Sequence, residues 1–464
     1  MTRQRAQDDK AITALKSLLG QRLSLSKSDL ALHGRSESYF APMLPDAVAY
    51  PQSTEEVSKL VAICAAHELP VVAWGTGTSL EGHSLAVRGG VVVDFSRMAR
   101  LVALRPEDMD VTVQPGLTRE ALNEELRATG LMFPVDPGAN ASIGGMAATR
   151  ASGTMAVRYG TMREAVLALE VVMADGTVIR TGSQARKSAT GYDLTHLIVG
   201  SEGTLGVITE VTLRLYGQPE AISAATCRFE SVEDAVNCVI LPIQSGLPMA
   251  RIELVDEMMV RGFNLSGDAG LPEKPHLFLE FHGTPAGVAE QAATFAEIAE
   301  DFGATGFAKA DRPEDRSRLW ALRHGAHYAN SALEPGKRTL ATDVCVPISK
   351  LAEAVTAAQR KSRDLGLTCT IVGHVGDGNF HCGVRVAPED ADELKTVKGF
   401  VNELNDLALS LGGTVSGEHG IGIGKQAYMT REHGAALGYM RALKQAYDPR
   451  GILNPGKLLP PEEA

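Results

Sequence analysis

Two hydrophobic periods alternate along the first half of this chain. From Thr54 to His67 apolar residues recur at helical spacing, with Ser53 or Thr54 as cap and Glu55 and Glu56 in the first turn, where the helix dipole favours acids. Short apolar runs at Pro70 to Trp74 and Gly90 to Phe95 predict buried strands. Further on, Val211 to Arg214 and Thr226 to Phe229 are strand-like, whereas Val232 to Val239 and Ala286 to Phe302 are helical. The pattern predicts an α+β protein. Its 464 residues exceed a single core, and Gly217-Gln218-Pro219 reads as a linker between two of the domains.

The turns between these elements carry the first chemistry. The strand at Pro70 runs into Gly75-Thr76-Gly77-Thr78-Ser79-Leu80-Glu81-Gly82, and another strand follows almost at once. A Rossmann turn needs glycine where Leu80 stands and a long helix behind it, and a Walker loop needs lysine where His83 stands. What remains is a glycine and hydroxyl cradle whose backbone N–H groups hold a pyrophosphate without a helix. A tight structural turn would use the same residues. A second block, Val135 to Ala148, passes through Asp136-Pro137-Gly138 to Ser142, a helix cap, and then Gly144-Gly145, where small residues let a flat ring approach. A third, Gly200 to Thr209, includes Gly203, Gly206 and Ile208 and leads into a strand. Three such loops suit an extended cofactor with two phosphates and a planar ring.

The segment Gly373-His374-Val375-Gly376-Asp377-Gly378-Asn379-Phe380-His381 reads as a hairpin, with Gly376 to Asn379 as its turn. That register sets His374 and His381 opposite each other on one face, with Cβ atoms about 4.5–5.5 Å apart. Two imidazoles at that separation chelate one metal ion. A carboxylate such as Glu418, in Ser416-Gly417-Glu418-His419-Gly420, completes a two-histidine, one-carboxylate set with positions left for substrate. His419 is then a neighbouring imidazole suited to be a general base. Cys382 adjoins the hairpin, but strand alternation turns it to the other face.

Composition narrows the class. A net charge of −11 argues against a nucleic-acid footprint and supplies no polybasic membrane patch. The six cysteines are scattered without C-x-x-C spacing, as expected of reduced thiols in a cytoplasmic protein. No apolar stretch approaches a transmembrane span, and the first ten residues read neither as a signal peptide nor as an organellar presequence. Membrane association would be peripheral, at the inner membrane.

The order of the glycine blocks, the His374/His381 hairpin, Glu418-His419 and Asn454-Pro455-Gly456-Lys457 resembles the FAD-linked D-2-hydroxy-acid dehydrogenases, flavoproteins of the vanillyl-alcohol-oxidase type, over roughly Tyr39 to Leu458. Thr342 to Pro347, Ile371 to His374 and Gly417 to Gly422 are most similar to the D-lactate dehydrogenase (cytochrome) branch. The resemblance implies an N-terminal helical segment (1–40), a two-subdomain FAD-binding domain (41–217), an α+β cap over the flavin (218–419), and a C-terminal helical return (420–464) that completes the FAD domain. It assigns FAD to Gly75, Thr76, Gly77, Thr78, Ser79, Gly82, Pro137, Gly138, Ser142, Gly144, Gly145, Gly203, Gly206, Ile208 and Asn454. A divalent metal, Zn or Mn, falls to His374, His381 and Glu418, proton abstraction to His419 and carboxylate binding to Arg323. Without the resemblance Arg323 would pass for a surface arginine, and His327, one helical turn beyond it, lines the same pocket without assigned chemistry.

The activity implied is oxidation of D-lactate and similar D-2-hydroxy acids, with hydride passing to flavin N5. D-2-hydroxyglutarate dehydrogenase and the glycolate oxidase catalytic subunit are the alternatives, and a non-redox flavin-dependent transferase is the alternative of another class. No nicotinamide, iron–sulfur or haem-attachment motif is present, so electrons leave to a separate carrier such as cytochrome c, a quinone or an electron-transfer flavoprotein. A homodimer is compatible with the sequence. Relatives that bind FAD covalently use a loop histidine where this chain has Thr76 and Thr78, so non-covalent FAD is expected. Lys337 and Arg338 follow the turn Glu334-Pro335-Gly336 and would meet a second substrate carboxylate only if they are not solvated. Two residues depart from the branch: a small residue is expected at Arg150 and Asn at Met155, both near the flavin.

Overall fold

The computed structural model describes residues 2–267 and 269–461. It comprises two compact units. The first takes residues 1–151, 161–217 and 418–464, and the second takes 152–160 and 218–417.

Besides a small two-stranded sheet, Leu131–Met132 with Tyr216–Gly217, the first unit contains two larger sheets. In one, the strands run in the order Leu23–Ser24, Ala47–Ala49, Val91–Asp94 and Val71–Trp74, with the last three mutually parallel. Val91, Val92 and Val93 are all fully buried, as a parallel strand covered on both faces requires. The helix Thr54–His67 packs here through Val57, Leu60, Val61 and Cys64, one apolar stripe, each such side chain contributing about 1.5–3 kcal/mol. Its cap is Ser53, whose side chain accepts from the Glu56 N–H at 3.3 Å. The N-terminal helix Thr2–Leu19 adds Ala11, Leu15 and Leu19 to the same core. The other sheet is antiparallel, in the order Leu101–Arg105, Asp110–Val113, Val207–Arg214, Val166–Val172 and Val178–Gly182. Ile143, Met146 and Ala147 of the short helix Ile143–Thr149 pack on its core.

The second unit is built on one antiparallel sheet, ordered Thr305–Ala310, Ala221–Arg228, His276–Gly283, Met249–Val255, Cys369–His374, Asn379–Val386 and Arg338–Ala341, with Val344–Cys345 also pairing to Asn379–Val386. Both faces are covered. Along His276–Gly283, Leu277, Leu279 and Phe281 fill one core, while Phe278, Glu280 and His282 face the other side. On that other side Phe278 packs with Leu319 and Trp320 of the helix Pro313–His324. Polar groups are thus enclosed by a sheet and a helix, and they must satisfy one another there.

The hairpin that carries the histidines differs from the sequence expectation in register. His374 pairs with Asn379, and His381 pairs with Val372, so the two histidines are diagonal rather than opposite. They remain on one face, because 372 and 374 share a side of their strand as 379 and 381 share a side of theirs. The turn falls one residue earlier than Gly376 to Asn379. It is closed by Asp377 N–H donating to His374 C=O at 3.0 Å, and Asn379 is drawn into the sheet by pairing with Cys345. Gly378, at φ +80°, packs its backbone against Val346, where a Cβ would strike the carbonyl. Tertiary pairing, absent from the local sequence, chose the register.

Candidate functional site

The strand Met249–Val255 carries an acid, Glu253, between the buried apolar residues Ile252 and Leu254, with the half-buried Arg251 two positions before it. Glu253 is fully buried, and its two oxygens serve two different residues. Oε1 accepts from Nδ1 of His374 at 2.8 Å, and Oε2 accepts from Nε of Arg323 at 2.8 Å. Arg323 Nη2 is also 2.8 Å from Oε2 but without the alignment of a hydrogen bond. Arg323 is therefore a buried residue, 8% exposed, and not a surface one. The helix Pro313–His324 stops at Gly325, so His327 lies on the separate helix Ala326–Asn330 rather than one turn along the same helix.

His381 is fixed in a similar way. Its Nδ1 donates to the carbonyl of Thr342 at 3.1 Å and lies 3.6 Å from Oδ1 of Asp343. A carbonyl only accepts, so the Nδ1 of His381 holds the proton, and Glu253 draws the proton of His374 to the same position. Nε2 is left as the lone-pair nitrogen of both rings. The rings stand nearly perpendicular, at 84°, with centroids 5.5 Å apart. Within the second unit, a ligand nitrogen of His374 lies within 4.8 Å of a ligand nitrogen of His381.

Asp343 also shapes the backbone that leads to Glu418. Its Oδ2 accepts from Ser416 Oγ at 2.7 Å, its Oδ1 from Asn379 Nδ2 at 3.0 Å, and its carbonyl from Gly417 N–H at 3.0 Å. Glu418 and His419 follow directly in the chain. Sequence reasoning quoted Asp343 without a role and did not single out Glu253. The available signal in both cases was an acid inside a run that otherwise reads as buried strand. Of the other substrate candidates, Lys337 is held by Glu334 and Glu393, each at 2.6 Å, and Arg338 begins a strand in an exposed position.

The glycine blocks come together in the first unit. A Cβ on Gly75 would collide with the hydroxyl of Ser142, so first and second blocks touch backbone to side chain, as only glycine permits. Ser142 caps Ile143–Thr149, accepting from Gly145 N–H at 3.4 Å. Gly144 packs on Pro115, and Gly203 lies beside the Asn454 amide. Among the described residues, the backbone N–H groups of Thr76, Gly77, Thr78, Ser79, Leu80 and Gly203 have no protein acceptor, as a cradle for phosphate oxygens requires. These residues fit FAD. Pro137 and Gly138 lie on a loop with Gly138 exposed, and Gly82 is buried against Ile423. Gly206 packs on Val171 and Ile208 enters the hydrophobic core, so both stabilise the sheet behind the loops. The Asn454 amide donates to the carbonyls of His83 and Glu202, at 3.1 and 2.7 Å, and so clasps the loops. Arg150 lies against Gly200 and donates to the Val199 carbonyl at 3.2 Å, bracing the third block, and Met155 is buried in the second unit.

Comparison with known proteins identifies the family of the chain. Residues 45–182 match an FAD binding domain, and residues 218–458 match the C-terminal domain of FAD linked oxidases. The chain belongs to the FAD-linked oxidase family. It is 49% identical over 456 residues to a protein of Danio rerio named probable D-lactate dehydrogenase, mitochondrial, covering 97% of this chain and 92% of that one. It is 45% identical over 453 residues to D-lactate dehydrogenase (cytochrome), mitochondrial, of Arabidopsis thaliana, covering 97% and 80%. Its fold is of the vanillyl-alcohol-oxidase type: p-cresol methylhydroxylase superposes with a TM-score of 0.79 at 18% identity, over 97% of this chain and 96% of the other. Among the described residues no helix is long and apolar enough to cross a membrane, and all six cysteines are free.

Proposed function

We propose that the protein oxidises D-lactate and similar D-2-hydroxy acids to 2-oxo acids. FAD, held without a covalent bond because the loop offers Thr76 and Thr78, supplies the hydride acceptor at N5. A divalent ion, zinc or manganese, on His374, His381 and Glu418 would lower the pKa of a chelating substrate hydroxyl. The chain's own groups divide the remaining work. Glu253 and the Thr342 carbonyl hold both histidines in the tautomer that ligates through Nε2. His419 takes the hydroxyl proton. Arg323, steadied by Glu253, turns its remaining N–H groups to the substrate carboxylate.

The observation that carries this reading is the pair of ligand nitrogens of His374 and His381, within 4.8 Å of each other, with each ring held at Nδ1 by a buried acceptor. The names of the two relatives support D-lactate as substrate, and the Arabidopsis name supports a cytochrome as electron acceptor over a quinone or an electron-transfer flavoprotein. The free thiols suit a reducing compartment. The mitochondrial location in the relatives' names is theirs, and a homodimer is left to hydrodynamic measurement. Anaerobic addition of D-lactate to the purified flavoprotein tests the whole: the flavin band should bleach. A band unchanged by D-lactate, D-2-hydroxyglutarate and glycolate alike would sink the dehydrogenase reading.

A further inference from the structure

His83 stands immediately beyond the first glycine block and is only 6% exposed. Its Nε2 is 3.3 Å from Oε1 of Glu202, a residue of the third block, as an ion-pair contact without the alignment of a hydrogen bond, and its Nδ1 has no hydrogen-bonding partner among the described residues. Buried polar atoms of native proteins are nearly always paired, so an imidazole left open on one side marks a ligand it has yet to meet.

Both the backbone and the ring of His83 are closely packed. The His83 carbonyl accepts from Asn454 Nδ2 and from Lys457 Nζ, both at 3.1 Å. On the ring side, Gly420 presses so close that a Cβ there would stand 2.7 Å from Nε2. Glu202 is itself fixed, accepting from Ile421 N–H at 2.7 Å and from Gly422 N–H at 2.9 Å. Burial opposes its charge, but His83 and these two N–H groups prevail and hold the carboxyl below its ordinary range. A carboxylate at Nε2 steers the ring proton there and leaves Nδ1 as a defined hydrogen-bonding atom. The unpaired N–H groups of Thr76 to Leu80 and of Gly203 belong to the two blocks that flank this pair.

We propose that His83 is a polar contact to bound FAD, with Glu202 as the positioning residue that fixes its ring. This rests on FAD binding and not on the identity of the substrate. Two measurements test it. In protein labelled with nitrogen-15 at histidine, the His83 ring resonances, assigned by their loss in His83→Gln, should shift when FAD is added to the apoprotein. In parallel, titration of apoprotein with FAD should show His83→Leu weakened about tenfold, the scale of one buried hydrogen bond, with His83→Gln recovering most of the loss. Resonances that stay in place while FAD binds overturn the proposal even if His83→Leu fails to fold. So does an equal dissociation constant in a folded His83→Leu protein. A wild-type protein that takes up no FAD would instead refute the dehydrogenase reading, so the two failures are distinguishable.

Discussion

Glu253 and His374 meet at 2.8 Å, Oε1 against Nδ1, with both side chains buried. Because the second oxygen of Glu253 holds Arg323, one carboxylate governs both the ring proposed to bind metal and the guanidinium proposed to bind substrate. Glu253→Gln keeps the volume but offers an amide where one of two donors expects an oxygen. We expect metal affinity to fall about 10–100-fold, the usual cost of losing such a supporting contact, together with a rise in KM for D-lactate. Metal competition with a chelator and steady-state kinetics check both. Unchanged metal affinity would reduce Glu253 to a packing residue.

On the proposed mechanism, His374→Ala or His381→Ala removes a metal ligand outright. Metal content and turnover should fall together, by at least about 10–100-fold, while the FAD absorbance per protein is retained. Elemental analysis alongside the visible spectrum measures this. Full activity after exhaustive chelation would remove metal from the reaction.

The proposed chelation through hydroxyl and carboxylate would recognise the head of the substrate and its hand. A hydrophobic slot separates substrates differing by one methylene by only about 1–3 kcal/mol, so D-2-hydroxybutyrate should react alongside D-lactate, with both L-isomers poor. Lys337 is engaged by two carboxylates on the surface, so Lys337→Ala should leave kcat/KM for D-lactate within about twofold. Dye-coupled assays decide this. A higher kcat/KM for D-2-hydroxyglutarate that is lost in Lys337→Ala would reassign that lysine to the substrate.

Asp256, at the start of the helix Glu257–Gly267, is pushed up to about 8 by burial, with Glu257 adding to the effect. The folded protein therefore keeps a proton that the unfolded chain releases near pH 4. Stability from this group is complete below pH 4 and is lost as pH rises to about 8. Asp256→Asn retains an oxygen for the Met259 N–H, now at 2.8 Å. The variant should match the parent near pH 4 and exceed it by roughly 1–3 kcal/mol at pH 8.5. Urea unfolding at the two pH values reads the difference, and curves that stay parallel would show that Asp256 ionises freely.

Much of this was legible in the chain because its signals are local. Ser53 caps the helix Thr54–His67 through its nearest N–H groups, and Ser142 does the same for Ile143–Thr149. The His374 and His381 pair could be read from strand alternation, which survives a shift of register that moves both residues of a diagonal together. The register itself could not, because Cys345 and Val346 fix it from outside the hairpin. Glu253, Asp343 and Glu202 were missed for a related reason. Each is an acid whose partners lie far away in sequence, and nothing near it announces them.

The outer edge of the strand Val71–Trp74 is covered by residues near the C-terminus. Val71 N–H donates to the Ile452 carbonyl, and Asn454 N–H donates back to Val71, both at 2.8 Å. Lys457 reaches Leu85 across 372 positions. On the ribosome, the glycine loops emerge long before the segment that clasps them. Cofactor loading should therefore be among the last events of maturation, because long-range pairings of this kind form late. A premature stop just ahead of Ile452 would release an almost full-length chain with a bare sheet edge, destined for proteolysis rather than for partial activity.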